Sequence, residues 1–328
     1  MATVGQNYLS LADLYKQREG GKVTANIIEM LAQVNPILQD MITMECNDGT
    51  THITTTRTGL PAGTWRRLYQ GVQPTKSGTA QVRDTTGMLE RWSEVDKKLV
   101  DLAPDKAQFR LNEASAHIEA MANDMASTLF YGNTNTDADQ FMGLAPRFNN
   151  LAAPNATQII DAGGTGADNT SIWFIVWGMN TCHALFPKGS AAGLQRVDLG
   201  AETKTNSDGT VLRVVREQFM WDLGMSVRDW RYIARVANID VSDLRAGTVD
   251  IEDFMIDAYY RLKQRRIPNG NSAIYCNTAI KSALHKLAKN QANVNLTLDN
   301  FEGEEIVRFI GMPIREVDAL INTEARVV

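Results

Sequence analysis

Cysteine is scarce: Cys46, Cys182 and Cys276 are the only three in 328 residues. They are odd in number and widely separated, and no C-x-x-C pair occurs, which excludes a disulfide framework and a cysteine zinc site. A reducing cytoplasm at the time of folding is the natural reading. Long hydrophobic runs are missing too. The longest, Ile172 to Trp177, is six residues, whereas a membrane-spanning helix needs roughly 18 or more. The opening MATVGQNYLS has no basic stretch followed by an apolar one, so it does not read as a secretory signal. Nor is there an excess of positive charge. Lys and Arg number 33 against 38 Asp and Glu, a formal charge of −5, and duplex binding needs a basic face. Hydrophobic residues make up 44% and charged residues 22%, too apolar for disorder and sufficient for a sizeable core. The expectation is a soluble protein made inside a cell.

Periodicity divides what is present. Val23, Ile27, Met30, Leu31 and Val34 fall at helical spacing and close on Asn35-Pro36. A segment this short must pack on the rest of the chain or on a neighbour. From Thr50 to Thr86 the chain is rich in Thr, Gly and Arg and poor in large aliphatics. Within it Trp65, Arg67 and Tyr69 alternate with Arg66, Leu68 and Gln70, as in a strand exposed on one side. Either a projecting hairpin or a surface meander has this composition. A projection would leave edges that invite pairing with other chains.

A long helix is predicted next. Pro104 suits its first position, Asp105 its positive end, and Gly132 its C-terminal cap. Leu111, Ala114, Ile118, Met121, Met125 and Leu129 form one apolar stripe. Arg110, Asn112, Glu113, Glu119, Asn123 and Asp124 cover the other faces. About 26 residues at 1.5 Å rise make a rod of roughly 39 Å. Further on, 172–177 reads as a buried strand, and Val211 to Ile239 as two long strands broken near Asp222-Leu223-Gly224, anchored by Trp221, Trp230 and Tyr232. Asp250 caps a helix bearing Phe254, Met255, Ala258, Tyr259 and Leu262; a strand at 273–276 leads to a helix with Ile280, Ala283, Leu284 and Leu287 on one face. Strand-like 305–310 and 314–317 follow, and no internal repeat is visible. The class is α+β.

Signs of chemistry are weak. Gly163-Gly164-Thr165-Gly166 precedes a strand instead of the helix that a phosphate loop requires. Asn133, Asn135, Asp137 and Asp139 alternate as calcium ligands do, but the Gly and Glu of a calcium loop are missing in either register, so a turn is expected. His52, His117, His183 and His285 have no partners at metal-ligand spacing. Cys182 and His183 are adjacent on a strand and so point to opposite faces, which argues against a nucleophile–base pair. Gly224-Met225-Ser226-Val227-Arg228 has Arg where a nucleophile elbow needs Gly. Glu302, Glu304 and Glu305 read as a solvated loop. No catalytic, cofactor or metal residue is predicted, although a hydrolase site assembled from distant positions stays open as an alternative. Arg66-Arg67 between Trp65 and Tyr69 combines charge with stacking rings; this suits nucleic acid but also protein–protein contact, and the second reading is preferred.

The segments IIEMLAQVNPIL, TRTGLPAGTWRRLYQGV, TLFYGN, WDLGMSVRDWRYIARVANID, FMIDAYYRL and GMPIREVDAL occur in that order. In this the chain resembles the major capsid proteins of tailed bacteriophages, with the Hong Kong ninety-seven type of shell fold and the branch found in short-tailed and related phages. The resemblance implies an N-terminal arm at 1–36, an extended loop with flanking strands at 37–103 lying over a neighbouring subunit, and the spine helix of a peripheral domain at 104–132. It implies an axial domain from 133–210 and 247–303, long peripheral strands at 211–246, and a C-terminal peripheral strand at 304–328. The implied partners are copies of the same chain in hexamers and pentamers, with a portal, a scaffolding protein and a cement or decoration protein as further candidates. The shell would be assembled in the host bacterial cytoplasm and enclose double-stranded DNA without specific binding, with no membrane involved. Candidate intersubunit residues are Ile27, Leu31, Trp65, Arg66, Arg67, Leu68, Tyr69 and Lys76. Some family members carry a cleavable scaffolding region before the arm; here the arm comes almost at once, so scaffolding is expected as a separate protein or an unseen precursor piece. Others cross-link Lys to Asn, but nothing identifies an Asn partner for Lys76 or a catalytic carboxylate, so no cross-link is expected. An encapsulin-like cellular compartment shares the fold and is the alternative.

Overall fold

The strand Asn169–Trp177 is buried at all of its positions, and its two faces divide the core. Trp173, Ile175 and Trp177 point into one hydrophobic cluster, with Met125, Leu129, Phe130, Phe141 and Phe148. Ile172, Phe174 and Val176 point into a second, with Met255, Ile280, Leu284, Phe309 and Ile314. Alternate residues of a strand face opposite ways, so an unbroken apolar run fits only a strand covered on both sides. Each such side chain contributes about 1.5–3 kcal/mol on burial.

The structure is a computed structural model and describes residues 9, 18–19, 23–24, 35–288, 295–301 and 304–328. Its elements begin with β1 (Arg18–Glu19), β2 (Val23–Thr24), α1 (Ile37–Asp40), β3 (Thr43–Glu45), β4 (Thr51–Gly59), β5 (Gly78–Asp96), α2 (Lys97–Leu102) and α3 (Lys106–Tyr131). There follow α4 (Leu144–Arg147), β6 (Ile159–Asp161), β7 (Asn169–Trp177), β8 (Cys182–Phe186), β9 (Gln195–Thr205), β10 (Val211–Val227) and β11 (Ile233–Asp240). The chain closes with α5 (Val241–Ala246), α6 (Ile251–Arg261), β12 (Asn271–Cys276), α7 (Thr278–Ala288), β13 (Leu296–Phe301), β14 (Glu304–Phe309) and β15 (Met312–Glu316). The fold is α+β, as the sequence indicates. A hydrogen-bonded path runs β13-β14-β15-β12-β7-β8-β10-β5-β4, with β11 beside β7, β6 beside β11, β3 beside β8 and β9 beside β10. Two strand groups meet at a single bridge pair, Trp177 with Cys182.

The spine helix α3 starts two residues later than Pro104, the first position its composition suggests. Asp105 is the N-cap, its carboxylate accepting from the Ala107 and Gln108 amides, and Pro104 lies outside. The buried stripe runs from Phe109 through Ala114, Met121 and Met125 to Leu129 and Phe130. Leu111 belongs to the solvent side, exposed at 53%, while Asn112, expected outside, is buried and accepts from Gln108 Nε2. Gly132 ends the helix with φ −53°, so left-handed backbone is not what requires glycine. A Cβ there would lie 2.5 Å from the Phe141 carbonyl oxygen. Arg110 reaches from the helix to Asp198 on β9 at 2.8 Å and to buried Glu217 on β10, which also holds Arg196 at 2.7 Å.

Other expectations shift. The long strand β10 passes through Asp222-Leu223-Gly224 without a break, pairing them with Met88, Gly87 and Thr86; the interruption falls at the 3₁₀ turn Trp230–Tyr232. A side chain at 224 would meet the Thr85 carbonyl oxygen at 2.7 Å, so Gly224 serves close strand approach. Strand pairing crosses the segments that the resemblance suggests. Segment 133–210 is divided, with β9 pairing β10 and β6 pairing β11. From 211–246, β11 pairs with β7. In 304–328, β15 pairs in parallel with β12, and the last stretch, with Leu320 and Val327, joins the cluster that holds the helix. Hydrogen bonding between distant strands decides these neighbours, and composition along the chain does not record it.

A buried network fixes that terminal stretch. Arg235 donates to Glu324 Oε2 at 2.8 Å, to the Phe148 carbonyl at 2.7 Å and to Ser171 Oγ at 3.0 Å, above the Trp173 ring. Tyr131 at the end of the spine donates to Glu324 Oε1 at 2.6 Å. Removing one partner strands a buried charge, so Glu324→Ala is expected to cost about 3–5 kcal/mol. Urea unfolding midpoints check this, and the paired change Arg235→Met with Glu324→Leu should recover most of the loss.

Candidate functional site

Strand β5 belongs to two partners in turn. Residues 86–96 pair with β10 inside the body, and residues 78–85 pair with β4 outside it, from Thr51 opposite Thr85 to Gly59 opposite Gly78. The hairpin is therefore a direct continuation of a body strand. Nine residues of β4 at about 3.3 Å each carry its tip roughly 30 Å from the root. Thr51, Thr54, Thr55, Thr56 and Thr58 favour extended backbone without needing a core.

The tip, residues 60–77, contains no strand. The alternation from Trp65 to Gln70 is not β structure. The Gln70 amide donates to the Arg67 carbonyl at 3.2 Å, and Tyr69 has φ 66°, closing a turn that presents neighbouring side chains in different directions. A left-handed tyrosine is strained by about 1–2 kcal/mol. Trp65 is 101% exposed, Tyr69 102% and Leu68 83%. Arg66, Arg67 and Lys76 are exposed alongside them. Six of the eight candidate contact residues thus share one tip; Ile27 and Leu31 lie outside the described residues.

The root is polar and closed. His52 and Asp84 face each other across β4 and β5, and Ser226 faces His183 across β10 and β8. All four are buried, and the imidazoles meet edge to face at 5.5 Å. Arg147 donates to Asp84 Oδ1 at 2.8 Å and to the Met142 and Met225 carbonyls, tying the root to the body. His52 Nδ1, Thr54 Oγ1, Asp84 Oδ2, Ser226 Oγ and both His183 ring nitrogens have no hydrogen-bond partner among the described residues. Burial holds His183 down to about 4, helped by His52 and by Arg228; burial and Arg228 lower His52 as well. Cys182 points away into the first core cluster, and burial pushes its thiol up to about 12, which leaves it unreactive. Sequence reading missed this cluster because its members lie up to 174 positions apart; only the hairpin register, placing His52 against Asp84, carries a hint of it.

Other sequence candidates resolve as local structure. Gly163 donates its amide to Asp161 Oδ1 in a turn entering β7. Asn133 Oδ1 accepts from the Asn135 amide and Asp137 Oδ1 from the Asp139 amide. Among the described residues, no group of three or more His, Cys, Asp or Glu side chains is placed to hold a metal ion, and no helix is long and apolar enough to cross a membrane.

The family model for major capsid protein GP7 matches residues 18–328. The chain belongs to that family. A chain in the structure of bacteriophage Epsilon15 is 42% identical, with TM-score 0.80, covering 100% of this chain and 99% of that one. The capsid of Myoviridae phage XM1 is similar at 11% identity and TM-score 0.45, covering 67% and 100%. The holo-SrpI encapsulin complex of Synechococcus elongatus is similar at 11% and 0.44, covering 70% and 96%. No curated protein matches significantly. The major capsid protein reading stands on the first two findings.

The root carries a pH prediction. His183 sits near 4 when folded and near 6.5 when unfolded, so the unfolded capsid protein takes up this proton first as pH falls. Stability is full above about pH 6.5 and drops by on the order of 3 kcal/mol towards pH 4. Denaturant midpoints across that window check this, and His183→Gln should flatten the dependence.

Proposed function

We propose that this capsid protein closes a shell by seating each hairpin tip on a neighbouring copy. Trp65, Leu68 and Tyr69, fully exposed at the end of a hairpin, carry the reading. Monomeric proteins rarely expose such a group together, and Trp, Tyr and Arg are the residues on which protein contacts concentrate their energy. Many moderate contacts leave assembly correctable and become strong collectively. On this reading the spine helix with β5, β9 and β10 forms the peripheral part, and the strands around β7 form the axial part. Hexamers and pentamers close the icosahedral head in the host bacterial cytoplasm. A net charge of −5 suits a wall that confines double-stranded DNA without binding it. The protein's work is mechanical, and no catalytic step is assigned to it.

Deleting Thr56–Val82 joins Thr55 to Arg83 and leaves Ile53 opposite Arg83 across a two-residue turn, a register the hairpin already has. The expected outcome is a folded body, with circular dichroism and cooperative unfolding retained, and no closed shells by negative-stain electron microscopy. Normal particles from this variant would refute the assignment. Nuclease-protected double-stranded DNA inside particles from infected cells, instead of a cargo enzyme, distinguishes a phage head from a cellular compartment.

A further inference from the structure

The tip combines rings with unpaired cations. The side chains of Arg66 and Arg67 are exposed and form no hydrogen bond or ion pair among the described residues. Their own body offers these side chains no partner among the described residues, which points to a matching surface on another copy. That surface needs apolar depth and uncompensated negative charge.

One pocket has both. Between the base of β5 and the C-terminal half of the spine helix lies a depression of about 470 Å³, lined by Met88, Asp124, Thr128, Asp137, Asp139 and Phe141 among others. None of its lining residues is basic. Asp124 is paired with Arg91, whereas Asp137 and Asp139 are exposed and have no ion pair among the described residues. Met88 is 76% exposed at its edge, a large apolar side chain with nothing over it. Two other pockets are wrong in charge. One, of about 490 Å³, is lined by Arg266, Arg308 and Arg315, and another by Arg57, Arg228 and Arg231 with Asp229, which those cations outnumber. Either would repel the tip.

We infer that the hairpin tip of one copy docks in the Asp137–Asp139 pocket of the next, Arg66 and Arg67 facing the two carboxylates while Trp65 or Tyr69 covers Met88. This rests on the tip-to-neighbour reading above and names the receiving surface. Charge complementarity of this kind sets partner choice and register.

The test is a charge exchange in the full-length protein. Arg66→Glu with Arg67→Glu, and separately Asp137→Arg with Asp139→Arg, should each raise the concentration needed for assembly at least roughly tenfold. The four changes together should restore it to within about threefold of the unmodified chain. Thermal unfolding confirms that each variant folds. In parallel, Arg67→Cys with Asp139→Cys should give chains joined between copies by a short bis-maleimide, against a background of three buried native cysteines. Shells that form normally, with charge reversals that do not compensate and no cross-link, overturn the pocket and leave the shell reading standing. An unmodified chain that stays monomeric at every concentration overturns both.

Discussion

The hairpin depends on one continuous strand, β5. An isolated two-stranded hairpin is marginal in water, yet β4 and the outer part of β5 have little apolar cover. They hold because β5 does not end where the body ends. Its inner residues are already fixed against β10 from Leu89 opposite Trp221 to Asp96 opposite Val214, so the outer part inherits direction and register. At the handover Gly224 admits the Thr85 carbonyl where a side chain would collide, and Arg147 grips Asp84 from beneath. The hairpin is a lever whose fulcrum is hydrogen-bonded.

That lever separates two risks which a projecting sheet usually combines. Exposed strand edges pair indiscriminately, whereas a turn with fixed side chains recognises a shape. Here the shaft is threonine-rich, with Val82 as its exposed large apolar side chain, whereas Leu60, Trp65, Leu68, Tyr69 and Val72 gather in 60–72, where no ladder is available. Recognition therefore rests with side chains at the end instead of backbone along the shaft. The buried root adds a constraint of another kind. Unpaired polar atoms cluster around His52 and His183, in a place where protonation is opposed by burial, so the fulcrum is the least forgiving part of the lever to acidification.

Periodicity made some of this legible in the sequence. The spine helix and β7 were readable because one has a helical stripe and the other an apolar run too short for anything but a covered strand. The errors share a cause. Leu111 and Phe109 are both apolar near the helix start, and only the position of β5 and β10 decides that Phe109 faces inward. Asp222-Leu223-Gly224 looks like a break because glycine and aspartate are poor strand formers, but cross-strand packing against β5 outweighs that preference. Trp65 to Tyr69 alternates like a strand, and no partner strand exists to make it one. The root cluster and the acidic pocket were invisible, since each is assembled from segments that meet only through long-range pairing. The tip residues stand out in the sequence because large rings and arginines in a polar stretch lack a local reason to be there.

The pocket and the lever share a strand, and this has a consequence for assembly. Gly87, Met88 and Leu89 line the pocket and also lie where β5 leaves β10 for β4. A tip seated there presses on the root of the receiving copy's own hairpin. The contact is heterologous, with tip and pocket on different surfaces, so it propagates from copy to copy until a rotation closes it into a ring. Since β5 is stiff and fastened to β10, an occupied pocket steadies the direction in which the next tip points. Ring closure then becomes easier once begun, and a single strand in each subunit is enough to transmit it.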